Sequence, residues 1–175
     1  MLAVAAVALS IWSAGRRQAQ VASRPETFDR ERIAELLKRE PADVEPNSAE
    51  AERVLAEARQ RFAERHLAAG DAYRCVRLYQ RYKALSGRVS FEDLDDQRKL
   101  DTALHDLLAV LWPAYEKACL NIRQGRYHVA KAGFEEVRSL IPIENDPINR
   151  NAQRHLRYIL DRTAKKKRTH RGFGR

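Results

Sequence analysis

Five histidines, two cysteines and scattered carboxylates are the side chains with which this 175-residue chain would do chemistry, and their spacing decides what they can do. His66, His105, His128, His155 and His170 form no HExxH pair and stand at no zinc-binding distance in sequence from Cys75 or Cys119. Asp101 and His105, four apart, can orient an imidazole on one helix face, but the same spacing makes an ordinary exposed ion pair. Glu92, Asp93, Asp95 and Asp96 crowd the first turns of a predicted helix, where carboxylates face the positive end of the helix dipole. The chain has no GxSxG elbow and no GxGxxG or GxxxxGK[ST] phosphate loop; its glycines fall at helix ends. Cys75 and Cys119 each sit in an apolar helical pattern, as buried thiols do. The expectation is a chain without enzymatic activity, with no catalytic residue, metal ligand or cofactor and no small-molecule substrate.

Recognition chemistry is easier to find, and it sits at the ends. Arg162, Lys165, Lys166, Lys167, Arg168, Arg171 and Arg175 follow one another without an acid, while Arg16, Arg17 and Arg24 do the same at the other end. The net charge of +9 therefore belongs to the termini, and residues 25–161 are nearly neutral. Residues 162–175 read as a disordered basic tail whose Lys165, Lys166, Lys167, Arg168 and Arg171 attract phosphates of nucleic acid or of an anionic membrane surface. A solvated tail that serves solubility is the alternative. Within residues 1–24, positions 2–15 carry no charge and precede two arginines. Fourteen residues are short for a bilayer span, which takes about 20. A short membrane anchor, a signal-like segment and an apolar helix packed on the domain all fit. An anchor followed by arginines places the body in the cytoplasm; without one the protein is a soluble cytoplasmic chain.

These features need elements to hold them, and the composition supplies helices. Ala, Arg, Glu and Leu dominate, with only seven Gly and six Pro. Residues 27–40 read as a first helix ended by Pro41, and Asn47 or Ser48 caps a second that runs to Gly70 with Val54, Leu55, Ala58, Phe62 and Leu67 on its period. Asp71 caps a third helix, whose stripe is Cys75, Leu78, Tyr79, Tyr82 and Leu85. Ser90 and Asp93 open another, with Leu100, Leu104, Leu107, Leu108 and Leu111 buried. Pro113 starts or kinks a helix that Gly125 breaks, and residues 147–164 form the last, with Leu156, Ile159 and Leu160 inward.

The stretch "QGRYHVAKAGFEEVRSLIP" is the most specific. Tyr127, Ala130, Phe134 and Val137 share one helix face, Gly125 permits a tight turn before them, Ala130 lets a neighbouring backbone approach, and Pro142 ends the element. That order of turn glycine, aromatic, alanine, aromatic and proline resembles the second half of a tetratricopeptide repeat (TPR). A weaker copy aligns 55 residues upstream: Gly70 with Gly125, Cys75 with Ala130, Tyr79 with Phe134, Tyr82 with Val137, Gly87 with Pro142. The family period is 34 residues, so a helix of about 21 residues is inserted between the copies.

The resemblance implies an all-α fold for residues 25–161: a TPR-like array of antiparallel helix hairpins with an inserted helix and a C-terminal capping helix. It further implies a scaffold or adaptor that binds a protein partner's segment in a groove. The groove positions would be Trp112, Tyr115, Cys119, Ile122 and Arg123 in the second pair, and Glu57, Gln60, Arg61 and Glu64 in the first. Core packing is the competing role for Trp112 and Tyr115. A nucleic-acid or ribonucleoprotein accessory protein acting through the tail is the alternative function.

Overall fold

The computed structural model describes residues 23–42, 44–88 and 90–172, with side chains as far as residue 164. Six helices and no strand occur among them: α1 (Arg30–Lys38), α2 (Ser48–Glu64), α3 (Asp71–Ser86), α4 (Leu94–Arg123), α5 (Tyr127–Leu140) and α6 (Pro147–Gly172). α2 packs on α3 and α4 on α5 as consecutive hairpins, α6 covers α5, and α1 lies against α4 and α6.

Local chemistry sets the boundaries. Asp29 caps α1 by accepting from Arg32 N at 2.7 Å, Asn47 caps α2 from Glu50 N at 3.1 Å, and Asp93 caps α4 from Asp95 N at 2.9 Å. Gly70 and Gly125 turn with φ of +87° and +71°, which L side chains adopt only with strain. Asp71 does not cap α3. It is the first helical residue, and its carboxylate instead accepts from Ala68 N at 3.0 Å and meets Arg74 at 2.8 Å. At α6, Asp146 accepts from Ile148 N at 2.8 Å and Pro147 takes the first helical position, where a missing N–H costs nothing.

The two aligned copies match in burial. Cys75 and Ala130, Tyr79 and Phe134, Tyr82 and Val137 are all in the core. Both cysteines are buried, and burial pushes the Cys75 thiol up to about 12. Tyr127 is half-buried against that core, and Pro142 packs where a Cβ on Gly70 would come within 3.2 Å of its ring. In addition to the buried Ala130, a close approach inside the α4–α5 hairpin falls at Gly133. A Cβ there would stand 2.9 Å from that of Ala118.

Further expectations fail: the first helix begins at Arg30 and not at residue 27, and Leu67, placed on the buried period of α2, lies beyond its end at 79% exposure. The inserted helix and the first helix of the second pair are one 30-residue helix, α4, with Pro113 inside it. Proline leaves the Ala109 carbonyl without its helical donor, but both residues are exposed, so water can serve it. Leu160 points outward at 56% exposure, whereas Leu156 and Ile159 are buried as expected. The tail is not irregular: α6 continues through Lys165, Lys166, Lys167, Arg168 and Arg171 to Gly172. Lysine and arginine are good helix formers and favour the negative end of a helix dipole, so a docked helix can propagate into this run.

Charged pairs lock the layers. Asp96, buried at the start of α4, takes two bonds from Arg59 of α2 at 2.9 and 2.6 Å, and Arg65 reaches Asp106 at 2.9 Å. Asp146 accepts from Tyr73 Oη and Arg77 Nη2, both at 2.8 Å. The Arg77 side chain also donates to Arg39 O and Gln80 Oε1, both at 2.8 Å, and to Tyr73 Oη at 2.9 Å. Removing one partner of a buried pair strands the other charge. Arg77→Met should therefore cost about 3 kcal/mol, and adding Asp146→Asn, which keeps the helix cap, should restore most of it in urea-denaturation midpoints.

Candidate functional site

The face of α4 on which the sequence places a groove is already occupied by the chain itself. Residues 23–29 lie in front of α1 with no helix or turn, and they are tied to α4 and α6 through their main chain. Tyr115 Oη accepts from Phe28 N at 3.0 Å and donates to Asn151 Oδ1 at 2.8 Å. Asn151 Nδ2 donates to Glu26 O at 3.0 Å, and His155 Nε2 lies 3.2 Å from the same carbonyl. A carbonyl oxygen only accepts, so His155 carries its proton on Nε2. These bonds address backbone groups, so they fix where a segment lies without specifying its side chains.

Aromatic packing holds this reader in place. Phe28 stacks on Tyr115 at 6.3 Å, Tyr115 meets Phe134 edge-on at 5.8 Å, and Phe134 stacks on His155 at 4.5 Å with 4° between planes. Trp112 stacks on the outer side of Tyr115 at 6.5 Å. Burial raises the Tyr115 hydroxyl and the Cys119 thiol above their ordinary pKa values. Both stay protonated, which suits hydrogen bonding and not nucleophilic chemistry.

A cleft of about 630 Å³ remains open beside the segment, with Thr27 and Phe28 on one wall and Trp112, Glu116, Leu120 and Arg123 on the other. The expected groove is therefore corrected in part. Tyr115 and Ile122 are core residues at 0% and 5% exposure, and Ile122 does not line the cleft. Cys119 is buried at its floor, Trp112 is half-buried, and Arg123 is exposed. Glu57, Gln60, Arg61 and Glu64 stay on α2, where Gln60 and Arg61 both bond Glu64 at 3.3 Å. Phe28, Leu120, Asn151 and His155 escaped the sequence reading. Asn151 and His155, four apart between the apolar Ile148, Ala152, Leu156 and Ile159, were the available signal, because polar groups on a buried stripe need a partner.

A larger cleft, of about 1030 Å³, lies between the α1–α2 connection and Asn145–Pro147. Arg77 and Asp146 on its wall are bonded to each other, so it is a joint between elements. No helix among the described residues is long and apolar enough to cross a membrane, and the apolar run 2–15 lies outside them. No family model, curated protein or solved structure matches the chain.

His155 makes this site sensitive to acid. Burial, opposed by its bond to Glu26 O and aided by Arg24, lowers its pKa to about 4 from an ordinary 6.5. The folded state thus prefers the neutral ring, so its stabilising contribution is present above pH 6.5 and is lost as pH falls toward 4. Between pH 7.5 and 5.0 the loss should be about 2 kcal/mol. His155→Phe should remove that component from the difference between urea midpoints at the two pH values, while the exposed His66, His105 and His128 contribute equally to both proteins.

Proposed function

We propose that this chain is a non-enzymatic, TPR-like scaffold that seats a segment of a protein partner along α4. The observation that carries it is the seat itself: Tyr115 and Asn151 hold main-chain groups of residues 26 and 28. Beside them the cleft presents Trp112, Leu120 and Arg123 to an incoming chain. Tryptophan and arginine are enriched among residues that dominate binding energy, and Leu120, 48% exposed, offers apolar area that a partner would cover. α4 supplies one wall and residues 27–29 the other, with Phe134 of α5 and His155 of α6 packed behind Tyr115, so the scaffold's work is to hold this face in place.

The run at 2–15 would tether the scaffold to a membrane with its body on the cytoplasmic side. Deleting residues 1–17 should then move the protein from the membrane to the soluble fraction of lysed cells; unchanged fractionation removes the tether from the proposal.

Leu120→Glu tests the seat. Affinity purification from native cells should lose a specific co-purifying protein with this variant while circular dichroism stays unchanged, because the side chain is half in solvent. Identical co-purifying sets for wild type and variant would refute docking on this face.

A further inference from the structure

The near-neutral charge of the folded body conceals one helix that is basic along its exposed side. α6 runs for 26 residues with Asp161 as its single acid. Arg150, Arg154, Arg157 and Arg162 are all exposed, and none has a carboxylate within ion-pair distance among the described residues. Arg150 makes one bond, to Asn145 O at 3.1 Å, and Arg162 lies over the Tyr158 ring at 5.2 Å. The contrast with α3 is direct. There Arg74, Arg77 and Arg81 are paired with Asp71, Asp146 and Glu50 at 2.8, 2.8 and 2.5 Å.

The register aligns these charges. Positions 150, 154 and 157 fall within a sector of about 60° on a helix of 3.6 residues per turn and extend over about 10 Å, and Asp161, also exposed, continues the same sector one turn further on. The opposite side of α6 is occupied: Ile148, Ala152 and Ile159 are buried in the core. Arg150, Arg154 and Arg157 are therefore held on the side of α6 that faces away from the core. Beyond Asp161 the same helix carries the basic run of the sequence.

We propose that this face of α6 binds double-stranded nucleic acid through its phosphates, without reading sequence. Guanidinium groups match phosphate oxygens with paired donors, and a duplex carries about one phosphate per 1.7 Å of axis, both strands counted. A membrane fits less well. Among the described residues of α6 the one exposed large apolar side chain is Leu160, which is too little to bury at an acyl boundary. Single strands fit less well too, because they are gripped by exposed aromatic platforms and Tyr158 is buried. The α4 cleft plays no part in this surface, so Leu120→Glu should leave duplex binding unchanged.

The test uses the full chain and fluorescence anisotropy with labelled 20-base-pair DNA and RNA duplexes at several salt concentrations. Two triple variants at positions 150, 154 and 157 are compared, Arg→Glu and the gentler Arg→Gln, each checked by circular dichroism. At low salt the Gln variant should bind at least tenfold more weakly, with a salt-dependence slope shallower by about 2 to 3, the value for three lost phosphate contacts. DNA and RNA arms that weaken equally identify phosphate as the ligand; binding confined to one of them overturns recognition by phosphate alone. Wild-type affinity in the folded Gln variant, with binding abolished by truncation after Asp161, would show an isolated tail at work and overturn the helix-face proposal. Binding to phosphatidylserine vesicles but to neither duplex would overturn it in favour of a membrane surface.

Discussion

A carboxylate with almost no access to water, Asp146, meets a guanidinium that bonds four residues across three elements. Desolvating either charge is costly, and the pair persists because every remaining donor and acceptor finds a partner. Asp146 Oδ1 caps α6 while Oδ2 takes Tyr73 and Arg77. Arg77 holds the carbonyl that ends α1, and Gln80 takes that of Leu37 at 2.6 Å. The start of α6, the end of α1 and the middle of α3 are thereby fixed relative to one another by directional bonds, which apolar packing does not provide. Where α6 starts determines where Asn151 and His155 stand, and hence where residues 26–28 can lie. The candidate site depends on a pair that is not part of it.

Close approach is the second constraint, and it is set by absence of side chain. Gly133 against Ala118 brings α4 and α5 together, and Gly70 admits Pro142 and the Ser139 carbonyl, where a Cβ would stand 2.9 Å from that oxygen. Large residues then fill what the small ones leave: Phe134 and Tyr79 are fully buried, each contributing about 1.5–3 kcal/mol of apolar burial. The pattern of small and aromatic residues is a packing code before it is a family signature.

Helix ends were legible because their causes are local. Gly70, Gly125, Pro142 and the cap Asn47 act within a few residues of themselves, whereas α1 starts after Asp29 and not at residue 27, and Asp93 rather than Ser90 caps α4. Buried faces followed from the period, since Cys75, Tyr79, Phe134 and Ile159 are inside. What could not be read depends on distant neighbours. Whether Pro113 breaks a helix turns on whether the stranded carbonyl reaches water. Whether Tyr115 faces a partner or the core turns on Phe28, 87 positions away in sequence. The run from Lys165 reads as a disordered tail, yet a helix already docked by Ile148, Ala152 and Ile159 needs no new nucleus to continue.

α4 changes what kind of object this array is. In a solenoid each unit touches only its neighbours, so order can spread or retreat one unit at a time. Here one helix, about 45 Å long, belongs to both hairpins: its first half carries Asp96 and Asp106 to α2 and faces α1 near Leu104, and its second half meets α5 at Ala118. Unwinding either end withdraws a shared surface from the other hairpin as well. Order in one half therefore depends on order in the other, because a single helix supplies packing surface to both.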